Sequence, residues 1–361
     1  MNRAMRVQTW IDERLDFGEL LAPLRAKRVP VHRYSAWYLL GGMTLFLFLV
    51  QICTGILLLL YYRPTTSEAF ESVQNITYHV QFGWLIRSLH SWSANLMVLC
   101  AFAHMFSVAF TRAYRKPREL TWISGVFLLF LVLGFGFSGY LLPWNTRAFF
   151  ATKVGTEVTG QVPLIGHSIM VLMRGGEDIS GATLTRFFGL HVVIFPALAT
   201  GMVICHLWLV HTFGTSVPPS VELGWTDNPS RRKEMRFFPN FFLRELMAWY
   251  LVFGVLICLA VFLPWELGVK ADPFASAPPG IRPEWYFLAQ FQTLKLIPSR
   301  VLFMDGEVLA IVGFGLGAAL WAGLPFIENL LEDRGQRVVQ IGVIVTLLYL
   351  AVMSVLGYVA K

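Results

Sequence analysis

Seven long apolar runs, almost free of charged residues, alternate along the chain with polar connections. Each run can supply the roughly 20 residues that a helix needs to cross about 30 Å of bilayer hydrocarbon. The first run is too long for a signal peptide and follows a polar N-terminal segment. The pattern therefore predicts an all-α, polytopic membrane protein with seven transmembrane helices, over residues 37–62, 88–111, 120–146, 187–221, 246–265, 308–327 and 338–360.

The connections divide these runs into two groups. Residues 1–36 have the apolar spacing of an amphipathic helix on the membrane surface, with a disordered tail as the alternative. Four spans follow within residues 37–215, and a polar, Pro-rich connection then leads to a three-helix C-terminal domain over residues 216–361. The long connection 144–186 contains apolar pieces, so we expect short helices at the membrane face there.

Composition agrees with a membrane protein, since 56% of the residues are hydrophobic and only 14% are charged. Most of the 29 Lys and Arg residues fall in the N-terminal segment and in every second connection. This asymmetry predicts that the N-terminus lies on the cytoplasmic, or equivalent negative, side of the membrane, which we expect to be the cell inner membrane. The basic clusters would face anionic lipid or a cytoplasmic partner rather than nucleic acid. The four cysteines all lie within predicted spans, so we expect neither a disulfide scaffold nor a cysteine-held iron–sulfur cluster.

Four of the eight histidines lie inside two spans. His90 and His104 are 14 residues apart in the second span, and His191 and His206 are 15 apart in the fourth. In an α-helix 14 residues rise about 21 Å and return to within about 40° of the starting direction, while 15 return to within about 60°. Each helix thus presents two imidazoles on roughly one face, near opposite edges of the membrane.

A single histidine in a span is more often hydrogen-bonded to a neighbouring helix than bound to a metal. Two matched pairs are different, because ionisable side chains inside a membrane are costly and rarely without function. Zinc would need further ligands, and no cysteine or acid lies at either height. The histidines therefore predict two non-covalent b haems, one ligated by His90 and His191 and the other by His104 and His206.

Glycines in the first and third spans share the histidine spacing. Gly41 and Gly55 are 14 residues apart, as are Gly125 and Gly139. A glycine leaves room where a porphyrin passes close to a backbone. Ordinary close packing of membrane helices is the alternative, although it does not account for the shared spacing.

Arginines lie near the ends of the histidine-bearing spans. A guanidinium near each haem would suit its propionates. Interfacial placement of a long cationic side chain is the alternative for each of them. The haem-binding predictions from this group are Arg87, Arg118 and Arg186.

These motifs resemble cytochrome b of the quinol-oxidising bc and bf complexes. The matching stretches are "FGWLIRSLHSWSANLMVLCAFAHMF", "KPRELTWISGVFLLFLVLGFGFSGYLLPW", "TLTRFFGLHVV" with "CHLW", and "RPEWYFL". The resemblance covers nearly the whole chain. The 15-residue spacing and the seven spans are similar to the b6 form, with cytochrome b6 and subunit IV fused near residue 216.

The resemblance implies a proton-translocating quinol:cytochrome c oxidoreductase subunit of a respiratory or related electron-transport chain. Quinol oxidised near the "PEWY" stretch would give one electron to a Rieske iron–sulfur protein and then to a c-type cytochrome or another acceptor. The second electron would cross through both haems to a cytoplasmic-side quinone. The family further implies a homodimeric complex. Leu39 stands where b6 relatives have a haem-attaching cysteine, so no covalent haem is expected, and His211 replaces an arginine of the inner quinone pocket.

In this family the "PEWY" glutamate belongs to the quinol-oxidation site, so Glu284 is the expected proton acceptor and Tyr286 its polar neighbour. Residues 142–154 match the segment that covers this site. A Pro-Glu pair is also common at the start of a helix without any catalytic role. The predicted topology, however, places Glu284 at the level of His90 and His191.

Two other functions fit parts of the pattern. A two-haem membrane anchor of a dehydrogenase or nitrate-reductase-type enzyme would lack the "PEWY" stretch and the last three spans. A transporter or channel with structural histidines would show no visible haem spectrum.

Overall fold

The computed structural model describes residues 26–359 and, before them, residues 6, 9, 10, 13, 14, 22 and 24. The predicted surface helix over residues 1–36 therefore lies mostly outside the described residues. Within it, strand β1 (Arg28–Val31) pairs antiparallel with β2 (Lys233–Arg236), and a 3-10 turn, Ser35–Tyr38, leads into the first span. For these positions the structure differs from the prediction, because pairing with a distant strand favours extended backbone over helix.

The first half of the chain is helical. Its long helices are α1 (Leu39–Leu59), α3 (Gly83–Phe110), α4 (Glu119–Leu141) and α8 (Phe195–Phe213). Shorter helices are α2 (Ala69–Tyr78), α5 (Thr146–Gly160), α6 (Gly166–Arg174) and α7 (Gly181–Gly189). Helices α5 and α6 confirm the predicted short helices between the third and fourth spans, whereas α7 continues through a π turn into α8 as the start of the fourth span.

The second half begins with α9 (Pro219–Asp227) and β2, so the Pro-rich connection is structured. The remaining helices are α10 (Phe242–Phe262), α11 (Leu288–Leu296), α12 (Gly306–Ala322), α13 (Leu324–Leu330) and α14 (Gly335–Val359). A small hairpin, β3 (Arg300–Val301) with β4 (Met304–Asp305), precedes α12. A π turn, Phe237–Phe241, leads into α10, and the "PEWY" stretch forms the 3-10 turn Trp285–Phe287 before α11.

Within the described residues, six helices are long and apolar enough to cross a membrane. The sixth predicted span, 308–327, is the pair α12 and α13, which bends by 70° at a break. Pro325 opens α13 and cannot continue the hydrogen bonding of α12 across that break. The predicted fourth span ends earlier than residue 221, because Gly214 leaves the helix with φ +67°. The architecture is thus that of a multi-pass, mostly helical membrane protein.

The four long helices of the first half form a bundle in which α1 packs along α3 and α4 along α8. Helix α10 packs against α1 and α3, whereas α14 packs against α11. At one end of the bundle the two halves are joined by a buried ion pair between Arg112 and Glu328, with Tyr114 donating to the same carboxylate. The bundle interior is where the predicted histidines lie.

Candidate functional site

The histidines form two levels in the bundle, named here after the predicted orientation. At the outer level, the ring centroids of His90 on α3 and His191 on the fourth span are 6.3 Å apart. At the inner level, His206 lies close enough to His104 for their charges to interact. The structure therefore brings together the same pairs that the sequence predicts as ligand pairs.

A π turn accounts for the unequal histidine spacing. His191 lies in the π-helical segment Leu190–Ile194 between α7 and α8. A π turn takes one more residue than an α turn, so 15 residues containing it rotate the chain about as far as 14 in a regular helix. Both imidazoles of the fourth span thus face the bundle interior, without the larger angular offset expected from a regular helix.

Each of the four predicted glycines faces one of the four histidines. An ideal Cβ would lie 3.2 Å from the His104 ring at position 41 and 3.3 Å from the His90 ring at position 55. On α4, a Cβ would lie 3.4 Å from His206 at position 125 and 2.5 Å from His191 at position 139. The glycines of α1 therefore leave room for the histidine rings of α3, and those of α4 leave room for the histidine rings of the fourth span.

Hydroxyl groups fix three of the four imidazoles. Nδ1 of His90 lies 2.8 Å from Thr54 Oγ1, and Nδ1 of His206 lies 2.8 Å from Ser124 Oγ. Nδ1 of His191 lies 3.1 Å from Ser138 Oγ. Each hydroxyl also lies within donating distance of a carbonyl oxygen three or four residues earlier in its own helix.

Because each hydroxyl proton goes to that carbonyl, the hydroxyl oxygen accepts from Nδ1–H. The Nε2 lone pair of the imidazole is then free to ligate a metal. Sequence reasoning missed these hydroxyls, although a signal was present, since Thr54, Ser124 and Ser138 each directly precede one of the spaced glycines. Leu40 precedes the fourth glycine, and Nδ1 of His104 is buried with no hydrogen-bond partner in the described part of the chain.

The donor set at each level fits a haem. Each level offers two imidazoles, the axial ligand number of a bis-histidine haem, and two glycines whose missing side chains leave room beside the histidines. Among the described residues, no group of three or more His, Cys, Asp and Glu side chains could hold a metal ion. His90 with His191 and His104 with His206 are therefore the residues that would hold two haems.

The three predicted arginines make other contacts. Arg87 is buried, and its two terminal nitrogens donate to the carbonyls of Trp265 and Glu266 at 2.6 and 2.9 Å. Arg118 donates to the last carbonyls of α8 and its cap, whereas Arg186 is exposed and packs against Gly175. Their role toward haem propionates stays a prediction.

Glu284 lies close to the outer level, because it contacts the residue of α4 that follows Gly139. Its carboxylate accepts a hydrogen bond from Tyr140, the residue after Gly139, and the cation of Arg147 acts on it from α5. The hydroxyl of Tyr286 lies against Gly136, where a Cβ would be 2.5 Å away. The structure thus places both predicted catalytic residues beside α4, and it places Arg147 of the segment 142–154 near Glu284.

Electrostatics around Glu284 suit a group that exchanges a proton. Burial raises the pKa of Glu284 above its usual range, although Arg147 and the hydrogen bond from Tyr140 partly oppose this. Burial, together with the neighbouring Glu284 carboxylate, also raises the pKa of Tyr286, which keeps its phenol protonated. Sequence reasoning did not single out Tyr140 or Arg147, although Tyr140 lies in a quoted motif and Arg147 in the segment 142–154.

A second carboxylate occupies the corresponding position at the inner level. Glu245, in the first turn of α10, lies so close to Gly42 that a Cβ there would collide with its carboxylate. Its Oε2 is buried without a hydrogen-bond partner in the described part of the chain. Gly41 faces His104 and Gly42 faces Glu245, just as Gly139 faces His191 and Tyr140 contacts Glu284. The sequence signal that could have revealed Glu245 is its place directly before the apolar run that begins at residue 246.

A helical bundle with two stacked bis-histidine levels is the architecture of a transmembrane b-type cytochrome. The family model described as Cytochrome b/b6/petB matches residues 25–214, and the one described as Cytochrome b(C-terminal)/b6/petD matches residues 270–361. The chain therefore belongs to the cytochrome b/b6 family, with the N-terminal b6 part and the C-terminal part joined in one polypeptide.

Individual relatives agree with this assignment. The chain is 49% identical over 324 residues to a cytochrome bc complex cytochrome b subunit of Chlorobaculum thiosulfatiphilum, covering 90% of this chain and 74% of that protein. It is 46% identical over 209 residues to cytochrome b6 of Cyanidium caldarium, covering 58% of this chain and 97% of the relative. A chain of the solved structure titled "Hyperthermophilic respiratory Complex III" matches with a TM-score of 0.79 at 26% identity, covering 97% of this chain and 98% of that one.

Proposed function

We propose that the chain is the cytochrome b subunit of a bc-type complex in the cell inner membrane, with its N-terminus on the cytoplasmic side. It oxidises quinol beside Glu284 and passes one electron per quinol across the membrane to a quinone near Glu245. The observation that carries this proposal is the repeated arrangement at the two levels. At each level two histidines face each other and each histidine faces a glycine. At each level, too, the residue that follows one of these glycines contacts a carboxylate: Gly42 contacts Glu245, and Tyr140 contacts Glu284.

Haems bound at the two levels would supply one-electron redox chemistry at two heights in the membrane. The chain itself supplies the proton chemistry. Quinol oxidation releases two electrons and two protons, and Glu284 is placed to accept one proton while Arg147 stabilises the resulting carboxylate. Tyr286, protonated and beside Glu284, is a hydrogen-bond donor for the substrate oxygen.

The other quinol electron needs an acceptor outside this chain. We propose a Rieske iron–sulfur protein, which passes its electron to a c-type cytochrome or an equivalent acceptor, in a homodimeric complex. Protons released near Glu284 and taken up near Glu245 would contribute to the transmembrane proton gradient, because the two carboxylates serve levels at opposite ends of the bundle.

Glu284→Gln tests the quinol-oxidation site, because it keeps the shape and hydrogen bonding of the side chain but removes the proton acceptor. We expect quinol oxidation to fall roughly 10- to 10,000-fold while haem content is unchanged. The control is Glu266→Gln, an exposed acid in the same connection between α10 and α11. Stopped-flow reduction of haem by quinol at matched haem content measures the effect. An unchanged rate would leave Glu284 as a helix-start residue, and a purified protein without a reduced haem spectrum would refute the cytochrome assignment itself.

A further inference from the structure

Trp285 is tied to the histidine-bearing helix α3 by a side-chain hydrogen bond. Its indole Nε1 donates to Oδ1 of Asn95 at 2.9 Å. Nδ2 of Asn95 donates to the carbonyl of Ser91 at 3.0 Å, one turn earlier in α3. That second bond orients the amide, so that its oxygen points at the indole. A polar side chain within a span is costly unless it is hydrogen-bonded, and here both ends of the Asn95 amide are used.

The bond completes a two-sided attachment of the "PEWY" stretch. On the α4 side, the Glu284 carboxylate accepts a hydrogen bond from Tyr140, and the Tyr286 hydroxyl lies against Gly136. On the α3 side, Trp285 is bonded by Asn95. Because Trp285 stands between the two proposed catalytic residues, movement of its backbone shifts both of them.

Packing covers only part of Trp285, whose ring also contacts that of the adjacent Tyr286 at a centroid distance of 5.5 Å. Trp285 is 40% exposed and lines a cleft of about 1040 Å³ together with residues of α3 and α14. Its ring contact with Phe102 has a centroid distance of 6.4 Å, near the outer limit for such pairs. The cleft gives the indole room to turn away from its observed position, so the bond to Asn95 is the directional restraint on that side.

We propose that Asn95 is a positioning residue for quinol oxidation, which acts through Trp285 on Glu284 and Tyr286. This inference rests on the proposed function of the Glu284 site. Asn95 touches neither the quinol nor a histidine ligand in this proposal. Its role is to hold the segment that carries both substrate-facing side chains, since small displacements of catalytic groups cost large factors in rate.

A double-mutant cycle tests the proposal. Asn95→Leu removes the acceptor with little change in side-chain volume, and Trp285→Phe removes the donor while keeping an aromatic ring. We expect each variant to lower the kcat of quinol oxidation about 5- to 100-fold with haem content unchanged. The double variant should be no slower than the slower single variant, because both remove one bond. Asn95→Asp keeps an acceptor oxygen for the indole but loses the amide N–H that donates to Ser91, so its kcat should fall less than that of Asn95→Leu.

Leu99→Ala, which enlarges the same cleft without touching the bond, is the matched control and should keep the wild-type kcat. An equal loss in that variant, or additive losses in the cycle, would overturn the proposal in favour of general packing. If Asn95→Leu loses haem, Trp285→Phe still tests the proposal, because it leaves α3 unchanged. Wild-type turnover in Trp285→Phe would then show that Asn95 does not position the site. If Asn95→Leu has a normal rate while Glu284→Gln is slow, only this inference is wrong. If Glu284→Gln also has a normal rate, the proposed function is wrong.

Discussion

Nδ1 of His90 lies 2.8 Å from the hydroxyl of Thr54, which itself lies 2.6 Å from the carbonyl oxygen of Val50. One hydroxyl thus bonds a neighbouring helix while satisfying its own helix backbone. The next residue, Gly55, gives the same imidazole room to approach. A hydroxyl followed by a glycine is therefore a two-residue cradle for a ligating histidine, and it occurs at three of the four histidines.

Thr54→Val should weaken haem binding at the outer level. Valine has nearly the shape of threonine but cannot accept from Nδ1–H, so the imidazole loses the bond that fixes its orientation. Loss of such a supporting bond typically costs 10- to 100-fold in metal affinity, and we expect about that loss here. Haem retained per protein after dilution in detergent measures it. Among the described residues the Thr44 hydroxyl bonds only the Leu40 carbonyl, so Thr44→Val should retain haem normally. Equal loss there would contradict this account.

Alanine substitutions at the four histidines should separate the two levels. His90→Ala and His191→Ala should remove the same spectral component, because their rings face each other at the outer level. His104→Ala and His206→Ala should remove the other. Redox titration of each purified variant would show which component is lost. Loss of one component from both His90→Ala and His206→Ala would show that the ligand pairs are wrong.

Much of this site could be predicted from the sequence, because regular periodicity governs it. Residues 14 apart in a helix share a face whatever the tertiary structure, so the histidine levels and the facing glycines followed from the sequence alone. The π turn at Leu190–Ile194 did not, since no distinctive residue type marks it. Its presence could be inferred only from the odd spacing that it accommodates.

Contacts between distant segments could not be predicted in the same way. Arg147, on α5, lies close enough to Glu284 for its charge to act on the carboxylate, and Asn95 meets Trp285 across 190 residues of chain. Such contacts depend on how whole helices pack, which hydrophobic pattern alone leaves open. The N-terminal segment shows the same limit, since pairing with β2 decides the conformation of Arg28–Val31.

Arg147→Gln should move the acid limb of quinol oxidation to higher pH. Burial raises the pKa of Glu284, and the Arg147 cation opposes that rise. Without the cation the ionised carboxylate is less stable, so its pKa rises further. Since the proton acceptor must be ionised, the rate then starts to fall at a higher pH on acidification. The pH dependence of kcat/KM measures the shift, and Lys153→Gln on the same helix is the control, an exposed cation not among the groups that act on Glu284. A shift to lower pH, or the same shift in both variants, would show that Arg147 does not act on Glu284.

Glu245→Gln should slow electron exit from the inner level without slowing quinol oxidation. The carboxylate lies beside Gly42, next to the glycine that faces His104, and its buried Oε2 has no partner among the described residues. Quinone reduction consumes protons, so a carboxylate at this position is placed to deliver one, and its loss should slow re-oxidation of the inner haem by added quinone about 10- to 100-fold. Reduction of the outer haem by quinol should be unchanged, because that route uses Glu284.

The matched control for Glu245 is Glu222→Gln, an acid paired with Arg115 in the connection before α10 and half-exposed. It should leave re-oxidation of the inner haem unchanged. If Glu245 is instead only an acid favoured by the helix dipole at the start of α10, the glutamine variant should lose about 0.3–1 kcal/mol of local stability and re-oxidise normally. Time-resolved absorbance of the inner haem after a quinone pulse distinguishes the two outcomes. Normal re-oxidation would remove Glu245 from the mechanism and leave the inner quinone site to other residues around His104.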